Sequence, residues 1–571
     1  MEIEDDSGDE LMARVTYKQF GQLSFGDLEV YSVLPEHPIW SRAAELIDFQ
    51  FADVLCAPLY STRGPRPYAP SLKLKLHLIQ RYYTLSDREM EERIIGDLFI
   101  KRFLGVPVSF IGFDHSTLGL DRDRMGSELF NACHHHMLAQ AKQQGLWGDK
   151  TDIWLVDSFP SNGHVVRLSA YRLIKQAILQ IVNHLKRAHR TLFNQLQHAY
   201  DWTPLTAKLP PEPKEEEIEV AFSNLVVLAY SLLYWFESDS VRPIFWSWTD
   251  AKRQLASLER QAMLYRVLTE NVQPQDPNDP KPTYKKLPRK ERPQDRLLSA
   301  VDPDLRAGAK TKTSFFLGDK IQVVTSAAHN IVLNAEPIAG NEPDGDRLIA
   351  LIHEVFVKQQ MKPKRVVADS AYGYGRNRLQ CKQERLRLVA PLKKVGENPT
   401  GLFSNEQFLF DEKAGTVTCP AGQVTSNAAR KKGVKDTTYY TFSAKACRTC
   451  LLRDQCTTST KHRRSVTVSD YHKEFRQAQT VNRSEAGKAL LAMRSRIERK
   501  NHEMKNHHGL GHATMRSREK RRRIVKLVSM VVNLKQIVKQ RNALVLSFNR
   551  KRPAPAWHPS AHLQGTLVKM T

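Results

Sequence analysis

A chain of 571 residues, 41% of them hydrophobic, can bury roughly two to four separate cores and is not a disordered polymer. Its 86 Lys and Arg against 61 Asp and Glu leave a net charge of +25, a field that favours a polyanion, most simply nucleic acid, through phosphate neutralisation. Seven cysteines, behind an acidic N-terminus with no basic-then-apolar leader pattern, argue against a secreted disulfide scaffold.

Residues 1–18 read as a solvated acidic tail, with Glu2, Glu4, Asp5, Asp6, Asp9 and Glu10 at its start. Residues 19–149 read as a helical unit. A turn at Gly64, Pro65 and Pro67 leads into an amphipathic run through Leu72, Leu74, Leu76, Leu78 and Ile79. A second helix is predicted over 87–103, and Asp114-His115-Ser116-Thr117 is a helix-start pattern. Ile153-Trp154-Leu155-Val156 is a short apolar run between polar residues, which predicts a buried strand ending at Asp157.

Helical character follows over 168–271, broken by prolines near 209–213. The apolar stretch 220–236 is slightly short for a bilayer span and contains Ser223, Asn224 and Ser231, so it reads as a buried helix and no membrane partner is expected. Residues 273–295, rich in proline and lysine, predict a linker with little capacity to pack.

The period then changes. Lys320-Ile321-Gln322-Val323-Val324 and Ile331-Val332-Leu333 read as paired strands around a turn at His329-Asn330. A helix over 346–360 leads to the strand Arg365-Val366-Val367-Ala368 and then Asp369. Three strands, a helix and a strand make a mixed α/β sheet with helices on its faces. The core is thus assigned to 150–167, 300–404 and 472–544, interrupted by a helical insertion and linker over 168–299 and a cysteine-rich insertion over 405–471. Helices return over 475–507 and 520–544, and residues 545–571 read as a tail.

Two carboxylates, Asp157 and Asp369, each follow an apolar strand, where a metal or ligand is easily reached. Either one alone reads first as an Asp capping the turn after a strand. A third acid, Glu498, has Arg494 and Lys505 at spacings that place all three along one face of a single helix. Farther upstream, Cys447-Arg448-Thr449-Cys450 is a CxxC, with Cys456 beyond it and Cys419 before it. Four thiols at such spacing suit a tetrahedral structural Zn²⁺ site. Cys56, Cys133 and Cys381 read as core residues. The adjacent His134, His135 and His136 point different ways on a helix and are not read as metal ligands. Basic runs at Arg430-Lys431-Lys432, at Lys461-His462-Arg463-Arg464 and from Arg516 to Arg523 are either phosphate contacts or solvated faces.

Taken together, Leu155-Val156-Asp157-Ser158, Val367-Ala368-Asp369-Ser370-Ala371-Tyr372-Gly373, and Arg494-Ser495-Arg496-Ile497-Glu498 with Lys505 resemble the motifs of the DDE transposases of bacterial insertion sequences. In that family the acid helix also carries a tyrosine, and here its position holds Leu491. The resemblance covers most of 64–544, least well over 170–271. It implies a ribonuclease-H-like catalytic core in which Asp157, Asp369 and Glu498 bind Mg²⁺ or Mn²⁺. It also implies that Arg494 and Lys505 hold DNA phosphate and that the helical unit 19–149 recognises the element's ends. The partners implied are double-stranded DNA, both element ends and target, and further copies of the chain, in the bacterial cytoplasm at the nucleoid. The alternative is a catalytically inactive DNA-binding relative, or a nuclease that does not join strands.

Overall fold

The structure, a computed structural model, describes residues 15–18, 20, 23–61, 63–163, 168–206, 214–309, 313–392 and 401–551, with side chains to 543 in the last helix. The proline break expected at 209–213 lies outside the described residues.

The centre is a mixed sheet. Strand β1 (Ile153–Asn162) lies between β2 (Phe315–Ser326), antiparallel to it, and β4 (Arg365–Ala368), parallel to it. Strand β3 (Val332–Ala339) pairs with the far edge of β2, and β5 (Leu388–Val389) runs parallel to β4. The spatial order is therefore β3-β2-β1-β4-β5, with only β2 reversed. A short strand, Arg306–Ala309, continues the β3 edge beside Phe315–Gly318. Trp154, Leu155 and Val156 are at most 1% exposed, as are Val366, Val367 and Ala368. Strands covered on both faces carry such unbroken apolar runs. Contrary to the sequence expectation, β1 does not end at Asp157. Its parallel neighbour stops opposite Val156, while antiparallel pairing with β2 continues through Ser158 to Asn162.

The helices of residues 25–143 and the sheet share one hydrophobic cluster, joined by the long helix Arg518–Lys551. Its Val525, Leu527, Val528, Met530, Val531, Val532, Leu534, Ile537 and Val538 are all nearly inaccessible. The helix Pro70–Tyr82, expected to be amphipathic, is buried on nearly every side because this long helix covers its other face. Its Lys73 and His77 are tolerated there because Asp121 accepts from both, at 2.7 and 3.1 Å. The helix expected over 87–103 is two, Asp87–Gly96 and Leu98–Leu104. Asp97 caps the second, its carboxylate accepting from Ile100 N at 3.1 Å. Asp114 caps His115–Gln143 in the same way. His134 and His135 engage Val332 and Gln359 respectively, and His136 stacks on Phe51.

Between β1 and β2 the chain builds a helical insertion with its own core, around Ile174, Ile178, Leu225, Ala229, Leu232 and Leu268. Among the described residues one helix, Glu215–Glu237, is long and apolar enough to cross a membrane by length and composition. Its Phe222, Leu225, Val226, Leu228, Ala229 and Leu232 are buried in that core. The predicted linker packs better than its composition suggests. Val272–Pro274 and Tyr284–Lys286 form a hairpin, Tyr284 N donates to Ser223 Oγ at 3.0 Å, and Leu297 and Ala300 are buried against the insertion. A few apolar residues are enough to fold a polar segment back onto an exposed helix.

Within the basic run 516–523, residues 518–523 form a bracket of ion pairs. Arg521 bonds both Asp302 and Asp319, Arg518 also bonds Asp319, Arg522 bonds Glu336, and Lys520 and Arg523 bond Asp123. Arg521, Asp302 and Asp319 are at most 4% exposed, so removing the arginine would leave buried Asp302 without a cation and Asp319 with Arg518 alone, at a cost of about 3–5 kcal/mol.

Candidate active site

Parallel register places the first two acids side by side. Val156 is opposite Ala368, so Asp157 and Asp369 are the next residue of each neighbouring strand. Asp369 also does what a lone Asp after a strand commonly does: one carboxylate oxygen accepts from Ala371 N at 2.6 Å and closes a 3-10 turn, Ser370–Tyr372.

The third acid comes from the helix α1 (Arg494–His502), which runs alongside β1 in the same direction. Near its start Arg496 donates to the Ala327 carbonyl, beside the beginning of β1. Asn501, near its end, donates from Nδ2 to Asp157 Oδ2 at 2.9 Å. The loop that follows pairs with Asn162 at the end of β1. Glu498 is 59% exposed at the side chain, and Arg494 approaches it at 3.9 Å, beyond a hydrogen bond.

These groups act on one another through their charges. The Asp157 carboxyl is raised from about 3.8 to about 6, first by burial, then by Asp369 and Glu498, while the Ser158 backbone and Arg494 pull it down. Two units correspond to roughly 3 kcal/mol against the ionised form. Beneath the acids, Tyr372 is fully buried and its hydroxyl is held well above its ordinary value by burial and by Asp344, Asp157 and Asp369. Ser158 donates to Asp344 at 3.0 Å, and Lys320 pairs with Asp344. Asp344 is thus a fourth nearby acid, but one already neutralised. The sequence offered no apolar strand before it to draw attention.

The single helix expected for Arg494, Glu498 and Lys505 is not found. Leu491 lies on a preceding helix, Glu485–Ala492, and Lys505 on a π turn, Glu503–His507. The wider turn ends the α-helical repeat before Lys505, whose carbonyl accepts from Gly511 N at 3.0 Å. The structure brings Arg494 and Glu498 to Asp157 but places Lys505 one turn farther along, toward the Asn162 end of β1. Asn501, absent from the sequence reading, occupies that face instead. It is 5% exposed, its Oδ1 is buried without a hydrogen-bond partner, and its spacing of seven from Arg494 and three from Glu498 was the available signal.

Cys419, Cys447, Cys450 and Cys456 line one small closed cavity with Phe403, Phe408, Phe442 and Arg464. The Cys456 thiol is pushed up by burial and by the other three cysteines. Their sulfurs are nonetheless spread more widely than the 4.8 Å that groups Glu91, Asp114 and His115, a trio in which His115 already bonds Glu91. The basic side chain of Arg464 is spent on the carbonyls of Cys456 and Phe403.

Residues 418–538 match a family described as a transposase DDE domain, and residues 28–124 match a transposase domain (DUF772). The first match contains Cys419, Cys447, Cys450, Cys456, Arg494, Glu498 and Lys505, while Asp157 and Asp369 lie outside both. No curated protein and no solved structure matches the chain.

The raised Asp157 fixes the sign of a pH effect. A carboxyl whose folded value lies above its unfolded one takes up a proton on folding, so it costs nothing below about pH 4. Its cost grows as the pH rises toward about 6 and is complete above that. With chelator present, Asp157→Asn should therefore stabilise the protein at about pH 8, by at most roughly 3 kcal/mol, and the gain should vanish near pH 4. Urea unfolding at the two pH values checks this, and equal stability of both proteins at the higher pH would mean that the acids do not crowd one another.

Proposed function

On the premise that this is a DDE-class transposase of the insertion-sequence type, as its two transposase matches support, we propose that Asp157, Asp369 and Glu498 form its catalytic centre. In this reading the enzyme cleaves the ends of a mobile element and joins them to target DNA. The observation that carries it is the clustering of three carboxylates from three separate elements, with Asp369 and Glu498 both acting on Asp157 and Arg494 the nearby cation. The strand order, with one reversed strand and acids on the first and fourth strands, supports a ribonuclease-H-like core. An inactive relative would have no reason to keep uncompensated charge at the end of a buried sheet.

The donor set fits hard divalent cations: oxygen ligands only, with more negative charge than the protein itself neutralises. Mg²⁺ or Mn²⁺, when bound, activates the attacking oxygen and stabilises the leaving one. The rest falls to the chain. Asn501 holds Asp157 by its Oδ2 without adding a cation, so the carboxylate keeps its charge for a metal. The turn at Ala371 holds Asp369 in the same manner. Arg494, with a buried Nε lacking a partner, supplies a planar fork for a phosphate of the cleaved strand. Lys505 would meet phosphate farther along that strand. The helical unit 19–149 would bind the element's ends, and further copies of the chain would assemble on them at the nucleoid.

A structural Zn²⁺ fits the cysteine-rich insertion on two counts. Its four thiols surround one cavity, and their mutual repulsion would be relieved by a cation. Its hydrophobic core is small, Phe408, Val417, Tyr440, Phe442, Val466 and Val468, and cores of this size usually need a staple. The spread of the sulfurs means that the metal would have to draw them together.

Two experiments follow. Asp157→Asn, Asp369→Asn and Glu498→Gln should each reduce divalent-dependent cleavage of element ends by at least about a thousand-fold while end binding persists. Near-normal cleavage by any one would remove that residue from the centre. Elemental analysis of protein purified without chelator should find about one zinc per chain, lost in Cys447→Ser and in Cys450→Ser. A zinc-free wild type would refute the metal site.

A further inference from the structure

The acid helix has a second charged face. Arg494, Glu498 and Asn501 turn toward Asp157. Arg496, Arg499, Lys500 and Glu503 instead line a cleft of about 570 Å³ with Gln536 and Lys539 of the long C-terminal helix and with the turn Ala327, Ala328 and Asn330. An adjoining cleft of about 450 Å³ shares Arg499 and Glu503 and adds His502, His507 and Lys535.

Across both clefts five Lys and Arg side chains face a single carboxylate. Glu503 is held by Lys500 at 2.9 Å and by Lys535, and its carboxyl stays far below the usual range. That leaves Arg496, Arg499 and Lys539 exposed, with no carboxylate partner among the described residues. Lys500 is lowered chiefly by burial, which Glu503 opposes, with Lys535 and Lys539 adding to the lowering. These unmatched cations contrast with residues 518–523, where nearly every basic side chain is matched by an acid.

A continuous trough with unmatched cations, floored by one structural carboxylate, has the chemistry of a phosphate-backbone track. We propose that this groove binds the sugar-phosphate backbone of a DNA duplex other than the strand entering the acid centre. The two DNA segments then lie on opposite sides of one helix, about 10 Å across. Such a helix would hold a second duplex within reach of the chemistry while keeping it out of the acid site. The proposal rests on the transposase reading for the identity of the polyanion. Failure of the acid variants would overturn that reading and leave the groove's binding intact.

The test is Arg499→Gln with Lys539→Gln in the full chain, two exposed positions outside the acid centre. Binding is measured across a salt series to a random-sequence duplex and to a duplex carrying the element's end, with single-turnover cleavage of saturating end DNA alongside. Each lost phosphate contact should lower the salt slope by about 0.9, so the double variant should lose roughly 1.8 while cleavage is unchanged. A loss on the random duplex alone identifies target DNA as the occupant. A loss on the end duplex alone identifies the element's own flank. An unchanged slope on both, with an unchanged unfolding midpoint, overturns the proposal.

Discussion

Parallel pairing of β1 with β4 sets the problem that the surrounding structure has to manage. Two apolar strands in register, Trp154 to Val156 against Val366 to Ala368, can be buried only side by side, and their next residues are both aspartates. Glu498 then arrives from the flanking helix. Like charges at the edge of a low-dielectric sheet repel, and Asp157 bears the result, with its carboxyl near 6. On balance this arrangement opposes ionisation of Asp157, since burial and both neighbouring acids outweigh the help of the Ser158 backbone and Arg494. Folds tolerate such strain where function requires it.

The neighbourhood divides into groups that relieve charge and groups that leave it. Asp344 is neutralised by Lys320 and bonded by Ser158, so it supports the site from below. Asn501 can donate to Asp157 without adding a cation, which orients the carboxylate and preserves its charge. Arg494 stands far enough from Glu498 to leave both groups available. A little farther out the opposite economy holds, where Arg521 and its two aspartates tie the C-terminal helix to the start of β2.

Much of this was legible in the residues, for identifiable reasons. Strands buried on both faces announce themselves as apolar runs, and so Asp157 and Asp369 stood out as the polar residues that interrupt them. Glu498 was visible through its spacing from Arg494. The π turn was not, because one extra residue per turn leaves no compositional mark, and Lys505 falls within it rather than on the α-helix. Asn501 shared the face of Arg494 and Glu498, but its spacing was the only signal, since a neutral amide among Arg499, Lys500 and His502 does not stand out by residue type. Charge runs misled in the other direction. Residues 518–523 look like a nucleic-acid surface, yet their acids sit far away in sequence at Asp123, Asp302, Asp319 and Glu336. In the cleft, by contrast, Arg496, Arg499 and Lys539 have no carboxylate partner among the described residues, and they come from two helices that only the fold brings together.

The central claim is that the carboxylate cluster exists to hold divalent cations. The most direct test counts Mn²⁺ bound to the full chain by electron paramagnetic resonance at about pH 8, comparing the wild type with Asp157→Asn. The account predicts that Mn²⁺ binds the wild type and that its affinity falls by at least about ten-fold in the variant, because the amide removes the charge on which three acids converge. Equal Mn²⁺ binding by both proteins would contradict it.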